Sequence, residues 1–300
     1  MLEGILIIDK PQGMTSHDVV DRARKILKLR RIGHTGTLDP FATGVLVLCL
    51  NRATRVARFL AADEKEYLAS MRLGFSTDTG DLTGNPLSSP VDTRHITRAA
   101  VDQVLGHFRG RIEQIPPMYS AKKIAGVKLY KLARRGLEIE RVPVAVEIKK
   151  LELEPEEHHF SETIFSFHVV CSTGTYIRSL AEDIGRALGV GAHLIKLRRL
   201  RSGQFDLRRG ITIEKMLELM GSGELETLII SISDAIALEE LLLSGEEKKD
   251  ILHGRAVKRQ GAWLNGCQAK ICDSDRNLIA IAEFDAEKHL WRPRIVLGEV

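Results

Sequence analysis

The sequence predicts a protein of both helices and strands, a large mixed domain followed by a small β-rich module. Three observations carry this. The chain has 300 residues, beyond the usual size of a single domain and ample for a sizeable core. Short apolar runs of the kind found in buried strands alternate with stretches whose apolar residues recur at helical spacing. After about residue 230 the texture changes to short segments between closely spaced turn signals, which suits a β-rich module of about 70 residues.

In chain order, residues 5–8 (ILII) read as a buried strand. The turn Lys10-Pro11-Gln12-Gly13 follows, then a helix with Thr15 or Ser16 as its N-cap. Val19, Val20, Ala23, Ile26 and Leu27 share one side of that helix, so its basic residues face solvent. Residues 33–44 hold three glycines and a proline and read as an irregular loop feeding an apolar strand at 45–50. A helix at 52–60, a strand at 67–73 and a helix at 96–108 come next. The run Thr77-Asp78-Thr79-Gly80-Asp81 invites a calcium-loop reading, which fails. Counting from Asp78, the sixth and twelfth positions are Thr83 and Ser89, where Gly and Glu are required. The segment Ile115-Pro116-Pro117-Met118 breaks the chain before a short helix around 127–136 that glycine stops. Strands at 144–153 and 163–171 follow, then a helix opened by Gly174-Thr175 that runs to Leu188. The closing turns include Leu264-Asn265-Gly266 and Asp275-Arg276-Asn277.

Hydrophobic residues make up 44% and charged residues 28% of the chain, an ordinary globular balance that excludes disorder. No apolar run nears the ~18 residues of a membrane span, and no basic region precedes residues 5–8, so no secretion signal is read. The four cysteines (Cys49, Cys171, Cys267, Cys272) form no CxxC pair, which argues against disulfides and a zinc ribbon and suits a reducing cytoplasm. His158-His159 is the only adjacent histidine pair, and neighbours on a strand point apart, so no metal site is expected. Phosphate-binding glycine loops, HExxH and GxSxG are absent, which favours chemistry without a cofactor.

The net charge of +4 conceals three basic, acid-poor stretches. Residues 22–34, 122–141 and 186–209 together hold 20 of the 44 basic residues but 3 of the 40 acidic ones. A single charge run is usually a solvated face, whereas three such stripes point to a polyanion.

Several residues admit both a structural and a chemical reading. Asp39, between Leu38 and Pro40-Phe41, is either a turn residue bonding local amides or a carboxylate desolvated by apolar neighbours. Arg178 is a surface helix residue or the buried partner of a carboxylate. Tyr67 is core or a platform on which a base stacks, and Leu197 is core or pocket wall.

Four motifs, in this order, carry a resemblance. They are Lys10-Pro11-x-Gly13-x-Thr15-Ser16, then Gly33-His34-Thr35-Gly36-Thr37-Leu38-Asp39-Pro40-x-Ala42-Thr43-Gly44, then Tyr67 with Leu73-Gly74-x-x-Thr77-Asp78-Thr79, and Gly174-Thr175-Tyr176-Ile177-Arg178-Ser179-Leu180. Over residues 4–205 the chain resembles the bacterial tRNA pseudouridine-55 synthase (TruB) family. The tail, through Leu252-x-x-Gly254-x-x-Val257 and Pro293-x-x-Val296, is similar to a short PUA domain.

The resemblance implies an α+β fold with a central mixed, mainly antiparallel sheet flanked by helices and loops, a catalytic domain over 1–232, a thumb segment at 112–142 and a PUA-like domain over 233–300. It implies a cofactor-free, metal-free isomerase that flips the uridine at position 55 of the TΨC stem-loop of tRNA into a pocket. Asp39 is then the catalytic carboxylate, by attack on C1′, attack on C6 or abstraction of a sugar proton. Arg178 is the guanidinium that keeps it ionised, and Tyr67 stacks on the uracil and assists loss of the C5 proton. Tyr176 and Leu197 form pocket wall, and His34 occupies space near the vacated base. Lys10 is structural or close to RNA, while Lys122, Lys123, Arg134 and Arg135 meet tRNA from the thumb. The other basic stretches would meet phosphates. Position 37 is Thr where relatives often carry Ala. A monomer in the cytoplasm, needing no protein partner, completes the expectation; a non-enzymatic RNA-binding module and a guide-RNA-dependent synthase subunit are its rivals.

Overall fold

The computed structural model describes residues 2–61, 64–120, 122–124, 126–133, 135–137, 139–155, 163–259 and 261–298. His158, His159 and Arg134 therefore lie outside the described residues. The first half contains strands β1 (Gly4–Lys10), β2 (Ile32–His34), β3 (Thr43–Leu50), β4 (Glu64–Leu73), β5 (Gly110–Gln114), β6 (Lys123–Ile124), β7 (Val127–Lys128) and β8 (Val144–Leu153). Its helices are α1 (Ser16–Leu27), α2 (Ala57–Leu60), α3 (Arg98–His107) and α4 (Leu129–Ala133). Then come β9 (Ile164–Ser172), α5 (Ile177–Ala187), β10 (Ala192–Ser202), β11 (Phe205–Asp206) and α6 (Ile213–Ser222). The C-terminal part holds β12 (Glu239–Leu242), α7 (Gly245–Leu252), β13 (Val257–Lys258), β14 (Gln268–Cys272), β15 (Leu278–Asp285) and β16 (Leu290–Val296).

The main sheet runs β1-β3-β10-β4-β9-β8-β5, with β2 beside β3 and β11 beside β10. Its one parallel pairing is β3 with β10, so the sheet is mixed and mainly antiparallel, as the α+β reading expects. β10 meets β3 at Thr43 and Gly44, while β2 meets it at Leu48 to Leu50. The edge of β3 is thus shared between two strands that diverge, and residues 35–42 leave the sheet at that divergence.

Local chemistry explains the elements. Thr15 caps α1, its hydroxyl accepting from the Asp18 amide at 3.0 Å while the Asp18 carboxylate accepts from the Thr15 amide at 2.8 Å. Val19, Val20, Ala23 and Leu27 face inward, leaving Arg22, Lys25, Arg30 and Arg31 exposed. One core lies between the β4–β9–β8 face and α3 and α5. A second joins β1 and β3 to Ile281 and Leu297 of the C-terminal part, so the two sheets share buried surface. The C-terminal sheet, β12-β14-β15-β16-β13, forms the β-rich module around Trp291, Phe284 and Ile271.

Some local expectations are corrected. Residues 33–34 and 43–44 belong to strands, because glycine at positive φ, as at Gly44 (+99°), fits the end of an extended run. The helix expected at 52–60 is a 3₁₀ turn over Asn51–Val56 followed by α2. The third basic stripe runs partly along β10, a strand inside the sheet, while Arg186, Lys196, Arg208 and Arg209 stay exposed. On β10, Arg198 pairs with Asp9 at 2.7 Å, and Arg201 pairs with Glu64 at 2.6 Å and Glu66 at 2.8 Å. Arg198 and Arg201 are thus held by the protein's own acids. Among the described residues no helix is long and apolar enough to cross a membrane.

Candidate active site

The loop after β2 is fastened at nearly every residue, and the fastening aims Asp39. Ser16 at the start of α1 takes both backbone groups of Leu38, accepting from its amide at 2.8 Å and donating to its carbonyl at 3.1 Å. The Gly13 amide donates to the Pro40 carbonyl at 2.8 Å, and the Ala42 amide to the Asp39 carbonyl at 3.1 Å. Leu38, Phe41 and Ala42 are buried, so the loop is anchored from below by packing as well. From β10, Arg199 donates Nε to the Val45 carbonyl at 2.7 Å and Nη2 to the Gly36 carbonyl at 3.0 Å.

Lys10 belongs to this scaffold. Its ammonium donates to the carbonyls of Met14 at 2.5 Å, Pro11 at 2.9 Å and Pro40 at 3.3 Å. It is 0% exposed, and burial pushes its pKa down to about 8. The reading of Lys10 as a residue that meets substrate is therefore corrected, since its donors are spent on the turn carrying Asp39 and it reaches no surface.

Asp39 faces Arg178 at the start of α5. Nε stands 2.9 Å from Oδ2 and Nη2 3.3 Å from Oδ1. The same guanidinium donates to the carbonyls of Thr79 and Tyr119, each at 2.7 Å, and its Nη1 lies 3.8 Å from Asp81 Oδ2. Asp81 is in turn held within its own turn by the Thr83 amide at 2.9 Å and the Thr79 hydroxyl at 3.0 Å. Three chain segments thus converge on one buried cation. Burial pushes the Asp39 carboxyl above its ordinary value and the Asp81 charge adds to this, while Arg178 and then Lys10 pull it back without cancelling the rise.

The pair borders a cavity of about 190 Å³ lined also by Lys65, Tyr67, Ser120, Thr175, Tyr176 and Leu197. At roughly 30 Å³ per water, this is the scale of a single nucleobase and not of a chain. Tyr67 and Leu197 lie on adjacent antiparallel strands, Tyr67 opposite Arg199 and Leu197 opposite Ala69. Burial pushes the Tyr67 phenol up, so it stays neutral and can donate or accept one proton. The backbone of Tyr176 is clamped by the Gln114 amide, which accepts at 2.9 Å and donates at 3.2 Å. A carboxylate held against a guanidinium in such a cavity can stabilise or trap cationic character on a sugar carbon.

Of the residues singled out from sequence, the fold brings Asp39, Tyr67, Arg178, Tyr176 and Leu197 around one cavity. His34 is half-buried on β2 opposite Leu48 and does not line it. Lys122 and Arg135 flank α4 beyond the cavity, joined to it by the backbone: the Tyr130 amide donates to the Ser120 carbonyl at 3.1 Å and the Leu129 amide to the Lys122 carbonyl at 2.9 Å. The side chain of Lys123 is outside the described residues. Sequence reasoning missed Lys65, Ser120, Asp81, Gln114 and Arg199. Lys65 shares a face with Tyr67 two positions on, which the sequence reading missed because it began that strand at 67 and not at Glu64.

Comparison with known proteins decides the family. The TruB family pseudouridylate synthase (N terminal domain) pattern matches residues 24–177. The tRNA pseudouridylate synthase B C-terminal domain matches 178–247, and the pseudouridine synthase II TruB C-terminal pattern matches 240–296. The chain belongs to the TruB family of pseudouridylate synthases. Among its relatives, tRNA pseudouridine synthase B of Francisella philomiragia is 42% identical over 96% of this chain and 93% of the relative. The protein of the same name from Geobacter sulfurreducens is 43% identical over 97% and 95%. A chain in the crystal structure of a Cbf5-Nop10-Gar1 complex superposes with a TM-score of 0.74 at 28% identity, covering 99% of this chain and 85% of that one. As a TruB-family pseudouridine synthase the protein is an isomerase, and its α+β architecture is that of the family.

Proposed function

We propose that this isomerase converts the uridine at position 55 in the TΨC loop of tRNA to pseudouridine, with Asp39 as the catalytic carboxylate and no cofactor. The observation that carries the reading is the Asp39–Arg178 contact beside a base-sized cavity walled by Tyr67 and Leu197. The relatives of this chain at 42–43% identity are named for tRNA, whereas chains from a Cbf5-Nop10-Gar1 complex and an H/ACA RNP match at 27–28%, which supports action on tRNA without protein partners.

The uridine leaves its stack and enters the cavity, at a cost of a few kcal/mol that stacking on Tyr67 and contact with Leu197 offset. The C1′–N1 bond breaks, the uracil turns, and C5 bonds to C1′. The C5 proton is lost and N1 is protonated, so atoms balance without an oxidant or reductant. Asp39 serves the cleavage step by attack on C1′, attack on C6 or removal of a sugar proton. Arg178 keeps the carboxylate ionised and oriented, and Tyr67 assists the proton transfer at C5. Residues 112–142 act as a thumb on the stem-loop, with Lys122, Lys123, Arg134 and Arg135 meeting phosphates, and His34 fills space near the vacated base. The catalytic unit is 1–232, followed by a PUA-like unit over 233–300, acting as a monomer in the cytoplasm.

The test is to incubate the purified chain with an unmodified tRNA transcript, without cofactor, metal or guide RNA, and to map pseudouridine at base resolution. Product confined to the TΨC uridine, and lost in Asp39→Asn while tRNA binding persists, is the expected result. Normal turnover by Asp39→Asn would overturn the assignment of the carboxylate, and tight binding without product from the parent chain would favour a binding module or a guide-dependent subunit.

A further inference from the structure

Two cations, Lys65 lining the cavity and Arg199 buried behind it, have no carboxylate partner among the described residues. Lys65 and Tyr67 share one face of β4, and the Lys65 ammonium reaches the mouth, where its hydrogen bond is to the Thr173 hydroxyl at 3.2 Å. Arg199 lies beside it, donating to the carbonyls of Val45, Gly36 and Thr37 and hydrogen-bonding the Tyr67 phenol. Both charges press on Gly36: a Cβ there would stand 3.4 Å from Lys65 Nζ and 3.6 Å from Arg199 Nη1. Among the described residues no acidic oxygen lies within 4.0 Å of either cation. Burial first, and Arg199 second, push the Lys65 pKa down to about 8, which is what an uncompensated charge does.

The neighbouring cations of the sheet are treated differently. Arg198 and Arg201 on the same β10 each carry an acidic partner. Positive charge removed from water without a counter-ion is costly, so its persistence at this one place calls for an anion brought in from outside. The site lies between the 36–37 and 173–174 segments, and Thr37, Thr173 and Gly174 are exposed. A base entering the cavity drags its own sugar-phosphate backbone across that opening.

We infer that Lys65 is a positioning residue that holds a phosphodiester flanking the extruded nucleotide, with Arg199 adding positive potential from beneath. This rests on the reading of the cavity as the uridine site. Gly36 keeps the approach clear, and Lys65 contributes to binding by a charge-assisted contact while taking no part in bond making.

The experiment uses the full chain and a TΨC stem-loop RNA, with affinity measured in the Asp39→Asn background so that no turnover follows binding. Lys65→Met is expected to weaken binding about 10-fold and to lower the salt slope by about one, with Lys65→Arg restoring most of both. A neutral methylphosphonate at one of the two linkages flanking the target uridine should weaken binding about 10-fold with Lys65 present and have no further effect on Lys65→Met. Unchanged affinity and slope in Lys65→Met, or losses that multiply at both linkages, would overturn the inference. Should Lys65→Met fail to fold, the neutral linkages alone decide it, since full affinity at both excludes a phosphate contact. Absence of pseudouridine from the parent chain on the same RNA would instead remove the uridine reading, and this inference with it.

Discussion

Arg178 meets Asp39 side-on, its Nε at 2.9 Å from one carboxylate oxygen and its Nη2 at 3.3 Å from the other, across 139 residues of chain. Two further donors go to the carbonyls of Thr79 and Tyr119, and Nη1 faces Asp81, which together fix the guanidinium in one orientation. An ammonium cannot reproduce this fork. Arg178→Lys is therefore expected to keep the charge but lose at least about 100-fold in single-turnover rate. Circular dichroism should show the variant folded, and a rate within a few-fold of the parent would show that charge alone suffices.

The pH dependence follows from the same pair. Burial holds the Asp39 carboxyl above the ordinary aspartate value despite Arg178. A raised pKa means that Asp39 takes up its proton at a pH where a free aspartate, with a pKa of about 3.9, is still ionised. Since cleavage needs the ionised form, the rate should rise with pH through the raised value and then level off. Arg178→Lys, with its weaker hold, should move the inflection further up. A single-turnover profile that stays flat down to the ordinary aspartate range would contradict this.

How much of this was legible in the sequence depends on whether the signal was local. The Thr15 cap, the inward face of α1 and the buried strands were readable because capping and periodicity act within a few residues. The β-rich tail followed from such signals, whereas the α+β fold with its mixed sheet came with the resemblance to a family. The meeting of Asp39 with Arg178 did not follow from local signals either, because nothing within either segment specifies a partner 139 residues away; only the resemblance to a family joined them. Lys10 stayed open between a structural role and one close to RNA, and Arg199 was missed within its basic stretch, because both are buried and bonded to backbone carbonyls that the sequence does not display. The basic run of β10 divides among inward, paired and exposed positions, a partition that charge counting alone cannot make.

Gly44 ties the site to the sheet. It has φ +99°, and a side chain there would collide with the Arg199 backbone, whose amide nitrogen is 2.8 Å from the Cβ position. This is the crossing at which β3 and β10 run parallel and at which Arg199 passes beneath the 36–37 segment. Gly44→Ala should cost about 3 kcal/mol or more, from positive φ and the clash together. Urea unfolding gives the loss, and a loss below about 1 kcal/mol would mean that β3 and β10 separate easily here.

The thumb supplies the last expectation. Arg135 is exposed and Lys122 partly so, and neither has an acidic partner among the described residues, unlike Arg198 and Arg201 in the sheet. Unpaired surface cations exchange counter-ions freely, and that release drives binding to a polyanion. Replacing Lys122 and Arg135 together by Ala should weaken tRNA binding and reduce the slope of log affinity against log salt by about two, because each phosphate contact contributes about one. Since both residues stand outside the cavity, the rate at saturating tRNA should fall much less than the affinity. An unchanged slope would remove this segment from the RNA interface, whereas a lost saturating rate with intact affinity would place it in closing the cavity over the uridine.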